Sequence, residues 1–391
     1  MDRAVHALLA ALLVASSAGA VVAASPPGTT DVRATGTVDG ISTNTTDVLA
    51  LESIDASTFA RGDLVVTGAI DVQAATLVET HDRKRVTEAV AAAETDAEHR
   101  AAIRNATDRA ERRTEALLAA ERTAREDYRT GETTAESYLA TVGRLHARAA
   151  ALEATVRAVD SLDEQSVGDE RRARLRGQLM TLQGPVRAEP AAALRGDGVS
   201  PRTFVGVSSN GLTLATLSDG DYVRETVRTD AQDDDPGRLS FEDAQTRFAE
   251  LYPWASEHTD KYSLRELGSD VYDVEYAHTH GTIIASIDGS TGALFRESQT
   301  KSLAGIPTEE TRRTEADDVV VGVSETYPGG PLRVNVTNAT GEPVGAAVSV
   351  DGTAVGNTGD DGIVWTISPA GTYPVTVTTD ATTVDVRVDA T

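Results

Sequence analysis

Residues 138–159 read YLATVGRLHARAAALEATVRAV. Within them Tyr138, Val142, Leu145, Ala149, Leu152, Val156 and Val159 recur at spacings of 4, 3, 4, 3, 4 and 3, the a/d seam of a helix packed along another helix. Upstream of Thr130-Gly131-Glu132, the residues Ile103, Ala110, Leu117 and Ala124 recur every seven positions, and Thr107, Thr114 and Tyr128 make that seam more polar. Asp96–Arg100, Asp108–Arg112 and Glu121–Arg125 place acid four residues before arginine, each pair worth roughly 0.3 kcal/mol at low salt. Two such arms meeting at a glycine predict an antiparallel helical hairpin within residues 70–183. An arm of about 30 residues is ~45 Å long at ~1.5 Å per residue, so the hairpin is expected to project as a stalk. Residues 70–93 are the candidate third helix, with Thr80-His81-Asp82-Arg83 and Glu94-Thr95-Asp96 as places for a break. A thin, Ala-rich seam buries little apolar area, so the hairpin needs a further surface on this chain or on a partner.

On the C-terminal side, residues 169–182 form an Arg-rich helix candidate ended by Gly184-Pro185, and Pro190 with Gly196-Asp197-Gly198 marks a linker. Residues 199–304 then read as an α+β unit. Thr203-Phe204-Val205-Gly206-Val207 and Leu212-Thr213-Leu214-Ala215-Thr216-Leu217 flank Asn210-Gly211, a strong hairpin signal, and residues 222–227 continue the strand pattern. After Asp233-Asp234-Asp235-Pro236-Gly237, Ser240 caps a helix over 241–251, with Asp243 at the capping-box position, and strands follow at 271–277 and 282–287. Ser240-Phe241-Glu242-Asp243-Ala244, Tyr272-Asp273-Val274-Glu275-Tyr276 and Ile287-Asp288-Gly289-Ser290-Thr291-Gly292-Ala293-Leu294 together resemble the PepSY module, the last of them its Asp-x-x-Thr-Gly turn. The resemblance covers about sixty residues. It implies an extracellular module related to those that restrain thermolysin-like peptidases in their propeptides; no peptidase domain accompanies it, so inhibition would act in trans.

Residues 317–391 carry short alternating strands separated by Gly, Asp and Pro turns, the pattern of an all-β sandwich. Residues 338–344, Gly359-Asp360-Asp361-Gly362 and Pro369-Ala370-Gly371-Thr372-Tyr373 resemble the signatures of carboxypeptidase-regulatory-like (Ig-like) sandwiches, which implies a spacer or adhesive unit without catalytic residues.

At the other end, Met1-Asp2-Arg3, an apolar run over 4–14 and Ser16-Ser17-Ala18-Gly19-Ala20 have the three regions of a secretory signal peptide over residues 1–24, with cleavage after Ala20 or Ala24. An uncleaved anchor is the alternative. Residues 25–69 read as a Thr/Gly/Asp-rich linker followed by short strands at 48–51 and 64–67, the second preceded by a turn at Arg61-Gly62-Asp63. Asn44, Asn105, Asn335 and Asn338 head Asn-x-Thr sequons and are candidate glycosylation sites.

The chain of 391 residues has no Cys, which excludes disulfides, thiolate catalysis and Cys-ligated metals. It has 61 acids against 36 Lys and Arg, a formal charge of −25, and its only lysines are Lys84, Lys261 and Lys301. Acid excess with scarce lysine resembles proteins of halophilic archaea, whose working salt screens self-repulsion. The charge and the lack of a basic, aromatic-studded face exclude nucleic acid as a partner.

His278-Thr279-His280 is the closest His pair. Both imidazoles on one side of a strand reach one metal, with His258 or Glu275 as a distant third ligand, whereas Gly281 beside them argues for a solvated hairpin tip. Asp288, Asp351, Asp360 and Asp361 sit in Gly-containing turns, where Asx hydrogen bonds explain them and calcium is the alternative. Tyr252-Pro253-Trp254 is the best aromatic cluster and reads as core. No HExxH, Gly-x-Ser-x-Gly, P-loop or dinucleotide fingerprint is present, so no catalytic residue and no cofactor is assigned.

The sequence therefore predicts a multidomain α+β protein: an N-terminal helical hairpin, a central PepSY-like sheet and a C-terminal sandwich. As a whole it resembles uncharacterised secreted or envelope proteins of haloarchaea. The expected role is a non-catalytic binding or structural module at the cell surface, with a protein partner or self-association and no stable membrane span after signal cleavage. A trans-acting peptidase inhibitor or folding modulator is the alternative, and a metal sensor at His278 and His280 is the third reading.

Overall fold

The computed structural model describes residues 37–38, 45–62, 66–163, 170–232, 239–267 and 271–390. The expected signal peptide, Asn44 and the Asp233-Asp234-Asp235 run lie outside them. Everything below concerns the compact unit that starts at Thr35.

The chain enters through β1 (Thr37–Val38), β2 (Val48–Leu49) and β3 (Ala56–Ala60). Five helices follow: α1 (Val66–Ala91), α2 (Asp96–Arg129), α3 (Ala135–Leu162), α4 (Glu170–Met180) and α5 (Pro185–Arg195). A meander comes next, β4 (Thr203–Ser208), β5 (Gly211–Ser218) and β6 (Asp221–Arg228). The helices α6 (Phe241–Leu251) and α7 (Pro253–Glu257) lead into a second one, β7 (Thr259–Glu266), β8 (Val271–His278), β9 (Gly281–Asp288) and β10 (Leu294–Ser302).

Helix boundaries follow local chemistry. Thr95 and Glu98 close a capping box at the start of α2, Ser240 and Asp243 do the same for α6, and the Thr134 side chain accepts from the Ser137 N–H at the start of α3. Gly131, at φ +79°, turns the chain between α2 and α3. The predicted seam is buried: Ala110, Leu117, Leu145, Ala149, Leu152 and Val156 pack with Leu175, Leu179 and Leu182 from α4 and its C-terminal end. The surface the hairpin needed is thus partly α4.

The rest of that surface is the sheet, and here the expectation of a projecting stalk is corrected. Tyr128, Tyr138, Leu139 and Val142, at the hinge end of the hairpin, pack with Val186 of α5 on Val205, Val207, Leu212 and Leu214. Tyr128 and Tyr138 stack at 5.1 Å within this contact. Large apolar side chains concentrated at the hinge cover the sheet rather than leave it. Two further expectations change. Val66 and Thr67 open α1 instead of a strand, and α1 runs through 80–83 without a break. Residues 185–195, expected as linker, are helix α5 with Pro190 inside it. Pro190 lies against α3 at Gly143, where a Cβ would come within 3.0 Å of Pro190, so tight packing holds a helix that propensity disfavours.

The two meanders form one antiparallel sheet in the order β3-β4-β5-β6-β10-β9-β8-β7, joined at its centre by β6 and β10. The register sets Val205, Leu214, Glu225, Ser298, Ile284 and Glu275 in one cross-strand row facing the helical layer. The neighbouring row, Phe204, Ala215, Arg224, Gln299, Ile283 and Tyr276, faces the other way. On that second face α6 and α7 bring Ala244, Phe248, Leu251, Tyr252 and Ala255 onto Tyr272, Val274, Tyr276, Ile283, Ala285 and Ile287, and β2 adds Leu49 to the same core.

The C-terminal strands are β11 (Arg312–Ala316), β12 (Val319–Ser324), β13 (Pro331–Asn338), β14 (Ala347–Val350), β15 (Thr353–Asn357), β16 (Ile363–Ile367), β17 (Gly371–Thr378) and β18 (Thr383–Ala390). They build two four-stranded sheets, β11-β12-β13-β16 and β15-β14-β17-β18, around a core rich in valine. The strand at Arg312–Ala316 is the edge of the first sheet, ahead of residue 317. The sandwich docks on the large sheet: Ile367 joins Phe204, Ala215 and Tyr222, and Ile54, Phe59, Leu217, Leu303 and Ile306 pack around them. The Tyr222 hydroxyl donates to the Gly329 carbonyl at 2.7 Å across this contact.

Candidate functional site

The most unusual side-chain cluster lies at one end of the large sheet, where α7 meets the β8–β9 turn. Pro253 starts α7, and the helix ends at His258, whose N–H and ring Nδ1 (2.8 Å) both engage the Trp254 carbonyl. The indole of Trp254 stacks on His258 (ring centroids 4.5 Å, 8°) and on His280 (4.8 Å, 14°), and meets His278 edge-on (5.2 Å, 89°). His278, expected on a solvated hairpin tip, is 7% exposed, because α7 covers that end of the strands. Burial holds its pKa down at about 4, helped by the charges of Lys301 and His280 and opposed by Asp260. His280 is lowered for the same reasons, desolvation first and then Lys301 and His258.

The cluster brings His258, His278 and His280 together around one indole, yet not around one point. His258 and His280 both lie nearly parallel to the indole, each stacked on it. Glu275, the other distant ligand considered, belongs to the row facing the helical layer, opposite to His278. Among the described residues no group of three or more His, Cys, Asp or Glu is placed to hold a metal ion.

The Asp-x-x-Thr-Gly turn is satisfied internally. Asp288 Oδ1 accepts from the Ser290 N–H (3.0 Å), Ser290 Oγ (2.5 Å), the Thr291 N–H (3.0 Å) and Thr291 Oγ1 (3.1 Å). Gly292, at φ +66°, completes the turn, and its carbonyl accepts from Arg247 of α6 at 3.0 Å. These bonds account for the motif as turn chemistry. Asp361 likewise accepts from the Ile363 N–H, and Asp351 takes φ +49° before Gly352. Of the sequons, Asn105 is exposed on α2, Asn335 is half-buried on β13, and Asn338 donates its amide to Glu342 at 2.9 Å.

Sequence reasoning missed a buried polar network around Glu297 and Tyr252. Glu297 accepts from Arg224 (3.1 Å), from the Leu49 N–H (2.7 Å) and from the Tyr252 hydroxyl (2.6 Å), and Arg224 also donates to the Leu49 carbonyl (2.7 Å). Burial raises the Glu297 pKa, with Arg224, Tyr252 and the Leu49 amide opposing. The signal that could have found it is the period-two run Glu297, Gln299, Lys301 in a strand: polar groups on one face of a central strand need buried partners.

A largely apolar cleft of about 430 Å³ opens between α1, α2 and α3. Ala74, Ala75 and Val78 of α1 face Ala116, Leu117 and Ala120 of α2 across it. Beside it α1 exposes Ile70 (62%) and Leu77 (70%). Glu79 fixes α1 in place by accepting from Arg113 and Thr155, both at 2.9 Å.

Three family models match the chain. A domain of unknown function, DUF7096, covers residues 1–199; a family of unknown function, DUF7094, covers 203–307; an archaeal fibronectin-III type-like domain covers 310–386. The comparisons thus support an archaeal-type chain with a C-terminal Ig-like sandwich. No curated protein matches.

Proposed function

Because the chain belongs to the DUF7096 family and continues into an archaeal fibronectin-III type-like domain, we propose that it is a non-catalytic binding or structural protein at the outer face of the cell envelope of a halophilic archaeon. The observation that carries the reading is that sandwich which, with the helical layer, is packed on one sheet: the unit offers partners a rigid surface, including the cleft of about 430 Å³ on α1 and α2. The signal-like N-terminus and the four sequons support an address outside the cytoplasm, and the charge of −25 supports a high-salt setting. The test is photo-cross-linking from position 77 in intact envelopes at native salt, with position 83 on the same helix as control. Envelope proteins or copies of this chain captured from position 77 alone support the reading. A substrate turnover that survives purification and is lost on a point change refutes it.

The second reading, inhibition of a co-secreted peptidase through the PepSY-like segment, is supported by the helix-then-strands order of α6, β8 and β9 and by the Asp288 turn. β10 is central to the large sheet, so deleting 240–299 would unfold the protein rather than test this. Substitutions at exposed Phe241 and Tyr262 test it, and an unchanged inhibition constant rejects it.

A further inference from the structure

The end of the large sheet aligns five residues in one cross-strand row: Tyr222, Lys301, Gly281, His278 and Thr259. Gly281 contributes no side chain, so the row has a gap between Lys301 and His278, whose strands lie two spacings of ~4.8 Å apart. The glycine is obligatory. It has φ +149°, and a Cβ there would lie 1.9 Å from the Thr300 carbonyl oxygen. Next to the gap, Trp254 packs edge-on against His278.

Two N–H donors beside this gap have no acceptor. His278 Nδ1 accepts from the His280 N–H at 3.2 Å, so its proton sits on Nε2, and that nitrogen is buried and unpartnered. Trp254 Nε1, a donor only, is buried and unpartnered as well. Lys301 is 4% exposed and makes no hydrogen bond or ion pair among the described residues. Two carboxylates act on its charge, Glu297, which is committed to Arg224, Leu49 and Tyr252, and Asp47. Desolvation lowers the Lys301 pKa to about 8, which leaves it mostly charged at neutral pH. Its charge also acts on both His278 and His280.

We propose that the gap over Gly281 is a binding site for a small monovalent anion, a chloride ion or a carboxylate group, held by Lys301 Nζ, His278 Nε2–H and Trp254 Nε1–H. An ammonium and two N–H donors repel a metal cation and leave a water molecule short of acceptor capacity, whereas one anion satisfies all three. His280 Nδ1, also buried and unpartnered, is available to a protonated form of the same site. The site stands apart from the envelope reading above and does not depend on it.

The test uses Trp254 as reporter in the full chain carrying Trp365→Phe, which removes the other of the two tryptophans. Emission is titrated with sodium chloride and separately with sodium acetate, at ionic strength held constant with sodium sulfate. A saturable change that disappears in Lys301→Met and in His278→Phe supports the site. Saturation by chloride alone identifies the free ion, and saturation by acetate identifies a carboxylate. Because either variant could fail to fold, ³⁵Cl line width is also measured on the unaltered protein, with excess broadening expected and displaced by acetate if carboxylates bind. A linear, salt-indifferent quenching of Trp254 with no excess ³⁵Cl broadening overturns the proposal.

Discussion

Replacing Glu225 by Ala cuts the polar tie between the helical layer and the sheet. Glu225 projects from β6 toward α5 and is 3% exposed; Arg187 of α5 is 1% exposed, with Nε 2.7 Å from Glu225 Oε1. The other carboxylate oxygen accepts from the Val186 N–H at 3.0 Å, at the first turn of α5, where an anion also meets the positive end of the helix dipole. Gly184 is the N-cap because a Cβ there would fall 1.9 Å from Glu225 Oε2. Arg187 donates to the Thr181 carbonyl, but its Nη2 has no partner, so removing the carboxylate strands a buried guanidinium. The cost is that of breaking a buried pair, about 3–5 kcal/mol. Replacing both partners by apolar residues, Arg187→Met with Glu225→Leu, removes the stranded charge and should return stability to the wild-type level or above, by up to about 4 kcal/mol. Urea unfolding at fixed high salt measures both, provided the slope is unchanged between variants. A Glu225→Ala cost under about 1 kcal/mol, or a double variant as unstable as the single one, would refute the reasoning.

Tyr252→Phe removes the hydroxyl that donates to Glu297 at 2.6 Å and should cost about 1.5–3 kcal/mol in the same unfolding assay, the range for a bond to a charged group. His146 accepts from the Gly184 N–H through Nδ1 at 3.3 Å, and burial, with Arg187 and Arg195, lowers its pKa to about 4. Between about pH 6.5 and 4 the unfolded chain binds that proton and the folded chain does not. Stability is therefore full above pH 6.5 and falls toward pH 4, by up to ~1.4 kcal/mol per unit for one proton. His146→Gln should remove that share of the slope, and an unchanged slope would count against the assignment. Asp288→Ala leaves four donors of the turn without their acceptor and should lower stability by about 1–3 kcal/mol, with hydrogen exchange of the Ser290 and Thr291 amides speeding up. With 61 acids against 36 basic residues, the melting temperature should rise steeply as salt goes from about 0.1 to 1 M, where the Debye length falls from ~10 to ~3 Å; a flat curve would contradict self-repulsion.

What could be read without a structure is what depends on neighbours in the chain. The seam from Tyr138 to Val159, the Ser240–Asp243 capping box and the Asp288–Gly292 turn are set by helical period and by hydrogen bonds spanning at most four residues. The sandwich strands were legible because alternation and turn residues are equally local. Val66 and Pro190 were misread because propensity is weak beside packing: α5 exists where its apolar face and Val186 fit between α3 and the sheet.

Only the tertiary structure decided what became of the polar strand residues. Pairing of β6 with β10 joins residues 221–228 to 294–302 across two helices and three strands, and no local pattern specifies which edges meet. Once they meet, Arg224 and Glu297 lie two rows apart on the same face beside Tyr252, and Lys301 comes into register with Gly281 and His278. The same residues at an edge strand would be solvated and unremarkable. Cover from α6, α7 and β2 removes water from them, and it is desolvation that turns a period-two run of polar side chains into a paired network beside buried donors without partners, His278 Nε2 and Trp254 Nε1.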